Sequence, residues 1–418
     1  MSNRKLRFRA VPVHSIAGKY QFLLVNTETQ ELSHIGSMYG AHLALTSRAQ
    51  ATSKKALQHA SEILSWIEER AAGLDHGLAR GEPLARHHIL SFKKWLRDRH
   101  GGEGAITSPE AAATINASLA GAKQFINWCV MQGDGHSLSE IGRYLLELDN
   151  TWATSAKEPV PSTAYANDFD DSEIREIETY LFHLAFPSRN ASPRASDFRT
   201  YLMWRLAIEY GLRIGEILAL RETDLPSSGE NYLRIVRTEY RDGLIDPRGV
   251  NSPRVKTLGR DLGYRFKNTR FPELFNQYRI QHRWVWARRK SGRRYQQIKL
   301  PHPYLLISAS GRPLSISRAE QIGAEISAAT GIDFRWHRAR HSFFNRVYVA
   351  TIAISDITLR KDAMKGLVYW GGWKCEESLD IYTRTARRNQ ARTAAFQLAE
   401  ESEKPIFEAL GANNEPDS

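Results

Sequence analysis

This sequence predicts a mainly helical protein with small β elements, divided into at least two folded domains. Its 418 residues exceed what one core usually organises, at ~100–200 residues per domain. Apolar residues recur at three- and four-residue spacing on both sides of a segment, 151–167, that contains Pro159 and Pro161 and shows no apolar period. Runs of β type are few and short.

Taken in order, residues 1–44 join a basic arm (Arg4, Lys5, Arg7, Arg9) to the run Tyr20-Gln21-Phe22-Leu23-Leu24-Val25, which predicts a small β-rich N-terminal arm. From Thr46 the period becomes helical, and Leu57, Ala60, Leu64 and Ile67 share one face. A second helix opens at Pro83 and carries Ile89, Phe92 and Leu96, with Lys93, Lys94, Arg97 and Arg99 on its other faces. A third starts from an N-cap at Ser108 before Pro109 and runs through Ile115, Leu119, Ala122 and Ile126; a fourth covers 138–148. Residues 45–150 therefore form one helical domain, and 151–167 a linker. The acidic run Asp170-Asp171-Ser172-Glu173 suits the N-terminus of the next helix and opens a second domain, 168–400. Within it, 201–220 reads as helix, and 231–239, 255–263 and 304–308 as short strands. Residues 401–418 read as an acidic, Pro-containing tail.

Composition narrows the function. With 42% hydrophobic and 25% charged residues the chain is an ordinary folded one rather than a disordered one. The longest stretch free of Asp, Glu, Lys and Arg, 32–47, is interrupted by Ser33, His34, Ser37, His42 and Thr46, too polar to cross a membrane. The basic residues before Arg9 lead into Val11-Pro12-Val13-His14-Ser15 rather than an apolar core, so a cytoplasmic protein is expected. Two cysteines, Cys129 and Cys375, offer neither a disulfide framework nor a zinc knuckle. Fifty-eight basic residues against 46 acidic ones leave a net charge of +12, which favours a polyanion and makes nucleic acid the leading partner class. No Gly-x-x-x-x-Gly-Lys-Ser/Thr loop and no His-Glu-x-x-His pair occurs. His337 and His341 stand four apart, but Arg338 and Arg340 beside them would repel a metal cation.

Four short motifs remain. Gly211-Leu212-Arg213-Ile214-Gly215-Glu216 places an arginine and a glutamate three apart on one helix face. Val255-Lys256-Thr257-Leu258-Gly259-Arg260 suggests the tip of a β-hairpin. Trp336-His337-Arg338-Ala339-Arg340-His341 projects His337 and Arg340 from one face. Gly371-Gly372-Trp373 is followed nine residues later by Tyr382. Alone, each would read as a surface pair, a solvated turn or a core aromatic.

Together and in this order the four motifs resemble the tyrosine recombinase, or lambda integrase-like, family of DNA breaking-rejoining enzymes. The resemblance covers about 168–387, and it implies a helical core-binding domain followed by a tyrosine recombinase catalytic domain. It assigns Arg213, Lys256, His337, Arg340, Trp373 and Tyr382 as catalytic and Glu216 as a support behind them. Trp373 stands where many members have histidine, as in the Cre-like ones. The stretch 351–365 is an insertion relative to the usual pattern. Because 237–254 is long for a hairpin connection, Arg254 and Lys267 stay open as alternatives to Lys256.

The implied chemistry suits these residue types. Transesterification of a phosphodiester passes through a phosphorane with added negative charge, which the guanidinium forks of Arg213 and Arg340 can stabilise without a metal or other cofactor. Tyr382 would form a 3′-phosphotyrosyl link, His337 would take its proton, Lys256 would protonate the leaving 5′-oxygen, and Trp373 would donate its indole N–H. Bond energy is conserved, so no ATP is needed. Nine residues at roughly 100° each would set Trp373 and Tyr382 on opposite sides of one helix, so a break must separate them, with Ser378 as a candidate cap for a new helix bearing Tyr382.

Double-stranded DNA is the implied partner, gripped in a clamp between the two domains by Lys93, Lys94 and Arg97 on one side. On the other lies the basic stretch 283–299 with Arg288, Arg289, Arg293 and Arg294. A homotetramer on two DNA sites, accessory recombinases or DNA-bending proteins, and association with the nucleoid follow from the resemblance alone. The expected function is site-specific recombination for a mobile genetic element. The alternatives are a catalytically silent DNA-binding or architectural protein of the same fold and, less favoured, a type IB topoisomerase or telomere resolvase.

Overall fold

A computed structural model describes residues 5–14, 20–46, 50–100, 108–133, 136–155, 158, 168–187, 194–225, 232–241, 246–263, 270–288, 295–298 and 300–412. The chain forms two compact units, 1–164 and 165–418.

In the first unit, β1 (Phe8–His14) and β2 (Tyr20–Asn26) pair antiparallel, with Phe8 opposite Asn26 and Val11 opposite Leu23. Six helices follow, the third of them short. These are α1 (His34–Leu45), α2 (Gln50–Arg70), α3 (Leu74–Ala79), α4 (Arg86–His100), α5 (Pro109–Gln132) and α6 (Leu138–Ser155). Helix α1 lies inside the stretch expected to be a β-rich arm. Its sequence hides it, because glycines interrupt its apolar face. Gly40 is there for contact: a Cβ at this position would stand 2.1 Å from the carbonyl oxygen of Phe22 in β2. Ser33 caps α1 and Ser108 caps α5, each accepting the N–H three residues on. Leu57, Ile63 and Ile67 of α2, Ile89, Phe92 and Leu96 of α4, and Ile115, Leu119 and Phe125 of α5 are all buried and make the core. Helix α4 begins at Arg86 rather than at Pro83, and α6 runs on to Ser155 because Leu148 and Trp152 continue its buried face.

The second unit opens with α7 (Asp171–Ala185), capped by Asp170 and Glu173 in a reciprocal box. Then come α8 (Ala195–Tyr210), α9 (Ile214–Ala219), the antiparallel pair β3 (Tyr232–Ile235) and β4 (Arg260–Gly263), and α10 (Arg270–Gln277) with a π-helical turn, 278–282. The pair β5 (Val285–Arg288) and β6 (Tyr295–Ile298) precedes α11 (Ile316–Thr330), α12 (Trp336–Ile352), α13 (Ile357–Gly371), the short α14 (Glu377–Asp380) and α15 (Arg384–Ala412). Its main core joins α7, α8, α11 and the first turn of α12 through Leu181, Phe198, Trp204, Leu206, Ile322, Phe334 and Trp336. A second apolar cluster joins α12 to the C-terminal segments through Phe343, Phe344, Tyr348, Leu367, Trp373, Leu379, Tyr382 and Ala386.

Several elements correct the sequence reading. The helix expected over 201–220 is broken at Gly211, whose φ of +62° ends α8, so Arg213 stands as the residue before α9 rather than on a common helix with Tyr210. The strand expected at 304–308 is reduced to isolated bridges, Arg221 with Tyr304 and Ile307 with Pro313. The expected insertion, 351–365, supplies the end of α12 and most of α13. The acidic tail begins later than expected, since α15 continues to Ala412 through a run rich in good helix formers. Among the described residues no helix is long and apolar enough to cross a membrane.

Candidate active site

The site gathers residues distant in sequence around one carboxylate, with turns at Gly211 and Gly372 bringing them in. Gly211 turns the chain out of α8, and its carbonyl accepts a hydrogen bond from Arg340 Nη1. A Cβ on Gly211 would stand 2.4 Å from Phe343 Cδ1, so this position needs glycine for space as well as for its positive φ. Two residues later Arg213 precedes α9, and Glu216 in the first turn accepts its backbone N–H at 3.0 Å. Glu216 is 1% exposed. Its carboxylate accepts from Arg260 Nη1 and Nη2, each at 3.1 Å, and from the Thr257 hydroxyl. Arg213 and Arg340 each stand 3.8 Å from it. Burial alone would raise the pKa of this carboxyl; the charges of Arg260 and Arg340 and the bonds it accepts outweigh that and hold it down at about 2.

Arg340, fully buried, projects from the first turns of α12. Nη2 donates to the carbonyl of Gly371 at 3.0 Å, and the guanidinium lies 4.6, 5.1 and 5.0 Å from the ring centres of Phe344, Trp373 and Tyr382. Burial, then the charge of Arg213, lowers its pKa to about 10, which leaves it charged at neutral pH.

Tyr382 sits in the turn between α14 and α15. Helix α13 ends at Gly372, with φ +65°, and α14 starts at Glu377, so the expected break between Trp373 and Tyr382 is present. The new helix starts before Ser378 and stops before Tyr382, which corrects the expectation that it bears the tyrosine. The break lets the two rings approach to 5.0 Å between centres. Arg213 Nη2 donates to the Tyr382 hydroxyl at 3.2 Å. Beyond it, Thr385 donates to Asp168 at 2.8 Å, Ala386 N–H to Asn345 at 2.9 Å and Asn345 to Asp168 at 2.7 Å, which anchors the base of α15 to α12.

His337 and His341 both face Tyr382, at 5.6 and 4.5 Å between ring centres. His337 is exposed and His341 buried. Desolvation, followed by Arg340 and Arg213, lowers His337 to about 4; desolvation, followed by His337 and Arg340, lowers His341 to about 3. Both imidazoles are neutral at pH 7. Among the described residues no group of three or more His, Cys, Asp or Glu gathers to hold a metal ion.

The structure thus brings together Arg213, Glu216, His337, Arg340, Trp373 and Tyr382. Lys256 stands apart: its side chain is exposed, and it lies not at a hairpin tip but in the segment 236–259 that joins β3 to β4, four residues before β4. The alternative Lys267 lies outside the described residues. Sequence reasoning passed over three neighbours of the site, His341, Thr257 and Arg260. All three lay within the quoted motifs; what was invisible is that Arg260 and Thr257 turn inward onto Glu216.

The expected DNA contacts fare differently. Lys94 is exposed on α4. Lys93 stands 3.5 Å from Glu158, and Arg97 Nε donates to both of its oxygens at 2.9 and 2.8 Å, so these two cations face a buried carboxylate. Arg288 is in β5; Arg289, Arg293 and Arg294 lie outside the described residues. Arg283, in the same basic stretch, is buried and bonds the carbonyls of His302 and Tyr304 and the carboxylate of Glu222. It is a structural cation.

No family model matches the sequence, and no curated protein sequence matches it. Among solved structures, the chain is similar to two of the Tn1549 transposon integrase in complex with circular intermediate DNA. One is 12% identical with a TM-score of 0.51, the other 13% identical with a TM-score of 0.50; each comparison covers 86% of this chain and 99% of that one. The chain has the mainly helical tyrosine-recombinase fold that its motifs anticipated.

Proposed function

We propose that this protein is a site-specific DNA recombinase that cuts and rejoins DNA through a 3′-phosphotyrosyl intermediate, in the service of a mobile genetic element. One observation carries the reading. Among the described residues, two buried guanidinium nitrogens of the arginines that touch Tyr382, Arg213 Nη1 and Arg340 Nε, have no hydrogen-bond partner. Buried donors are almost always satisfied, and two cationic ones left open around a nucleophile fit a missing anion. A phosphate seated there would meet positive charge where the transition state adds negative charge. The Tn1549 integrase structures, which share the fold, hold circular intermediate DNA, a polyanion of the kind this reading calls for.

The proposed cleavage step follows from the groups available. The Tyr382 oxygen attacks phosphorus while neutral His337 takes its proton. The anion offsets the repulsion that Arg213 and Arg340 exert on His337, so binding DNA makes it a better base. The P–O5′ bond breaks, and Lys256 gives its proton to the leaving oxygen. Reversal by another 5′-hydroxyl completes the exchange, with neither ATP nor a metal. Trp373 contributes its ring to the wall beside Tyr382. A homotetramer on paired DNA sites, accessory DNA-bending partners and a place in the nucleoid belong to this reading.

Covalent trapping tests it. Nicked suicide duplexes cut from the DNA flanking the gene are incubated with the chain and with Tyr382→Phe, then run on denaturing gels. A DNA-linked band is expected with the unaltered chain alone. DNA binding with no band from any flanking duplex would favour the silent DNA-binding protein instead.

A further inference from the structure

We infer that Arg260 is a positioning residue for Lys256, fixing the backbone from which that lysine reaches the leaving oxygen. The inference rests on the strand-cleavage reading above and extends it to a residue that reading leaves without a role.

Arg260 shares the neutralising of Glu216 with Arg340 and Arg213, which stand 3.8 Å from the same carboxylate. What Arg260 adds is a junction. Its two terminal nitrogens fork onto Glu216, Nη1 also reaches the Thr257 hydroxyl at 3.0 Å and the Leu258 carbonyl at 3.2 Å, and Nε donates to the Trp370 carbonyl at 2.7 Å. One side chain therefore ties α9, the segment after Lys256 and the end of α13 that leads to Trp373. Leu258 N–H donates to the Gly372 carbonyl at 3.0 Å, and a Cβ on Gly372 would stand 2.7 Å from Arg260 Nη1. On the other side of Lys256, Val255 is buried, and a Cβ on Gly215 would stand 3.0 Å from the Arg254 carbonyl oxygen. Lys256 is thus an exposed, flexible side chain on a backbone pinned before and after it. A proton donor with four rotatable bonds gains most from a fixed stem, since misplacement by about 1 Å can cost ~10²-fold in rate.

The step at issue is the departure of O5′: as the bond from Tyr382 to phosphorus forms, the electron pair of P–O5′ stays on oxygen and accepts the Lys256 proton. A duplex with sulfur in place of the bridging 5′-oxygen leaves as a thiolate and needs no proton. Cleavage rates are measured on oxygen and sulfur suicide duplexes from the flanking DNA for the unaltered chain, Arg260→Lys, Thr257→Val, Lys256→Ala and Arg213→Ala. Arg260→Lys keeps the charge and removes the fork; Thr257→Val is the milder change should Arg260→Lys fold poorly. Both are expected to slow oxygen cleavage, Arg260→Lys by about 10²-fold, and to recover on sulfur, as Lys256→Ala does. Arg213→Ala is expected to stay slow on both. Equal slowing of Arg260→Lys and Thr257→Val on both duplexes, or no slowing on either, overturns the inference. Failure of sulfur to recover Lys256→Ala removes Lys256 as donor and the inference with it, leaving cleavage by Tyr382 intact. No covalent band from the unaltered chain on either duplex overturns the strand-cleavage reading itself.

Discussion

The cations around Glu216 and those on α4 are the same residue types in opposite circumstances. Around Glu216, Arg213 and Arg340 are packed against a carboxylate and still keep donors open. On α4, Arg97 spends its Nε on both oxygens of Glu158 and Lys93 faces the same carboxylate, while Asn116 holds the Glu158 backbone through bonds of 2.7 and 2.9 Å. A basic helix face in sequence therefore does not report free charge. What separates a candidate anion site from a structural ion pair is a leftover buried donor set beside a nucleophile; a leftover donor alone, such as Arg199 Nε or Arg221 Nε, does not mark one.

The largest effect expected from this contrast is catalytic. Arg213→Ala should lower the rate of covalent-complex formation by ~10²–10³ while DNA binding in a gel-shift assay persists, whereas Arg97→Ala should leave the cleavage rate of bound DNA unchanged. A comparable loss from Arg97→Ala would erase the distinction. Next in size is Glu216→Gln, which leaves three arginines around a neutral amide. It should destabilise the chain by about 3–5 kcal/mol in urea unfolding, because a buried charge cluster loses its counterion. Glu158→Gln sharpens the comparison from the other side. It should cost about 1–3 kcal/mol of stability and release Lys93 and Arg97. Fluorescence anisotropy across a salt series should then show log Kd rising more steeply, by roughly 0.9 for each released cation that reaches a phosphate. An unchanged slope would make both cations purely structural.

The smallest expected effect is on the acid limb of stability. His337 and His341 titrate at about 4 and about 3 in the folded chain, against 6.5 ordinarily. Between these values the unfolded chain binds more protons, so stability rises with pH through the window and falls as pH drops from 6.5 toward 4. His341→Phe keeps a ring against Tyr382 and removes one of these groups; its Tm should vary less than that of the unaltered chain between pH 6.5 and 4. An equally steep decline would place the acid sensitivity elsewhere.

Much of this was legible in the sequence, for identifiable reasons. Strongly periodic helices such as α2, α5 and α7 show through their apolar faces, and Ser108 and Asp170 mark the starts of α5 and α7. The site residues were legible as a conjunction of motifs, and the Trp373–Tyr382 break followed from helix periodicity once the resemblance set both residues at one phosphate. Helix α1 was missed because contact with β2 demands glycine where a helix would ordinarily carry apolar side chains. The break at Gly211 was missed because a glycine inside a helical pattern does not reveal its own φ. Arg260 and Glu158 were missed for a common reason: a charged residue outside an apolar period reads as solvated until the fold shows what it faces.

Tyr382 is 7% exposed and its ring covers the wholly buried guanidinium of Arg340. On the proposed reading, the attacking group is also the stopper of its own anion hole. On that reading a swing of the Tyr382 ring would both open Arg340 to a phosphodiester and present the hydroxyl. Until DNA is seated the chain carries its nucleophile sheathed, a safety catch against indiscriminate nicking that demands no separate inhibitory domain.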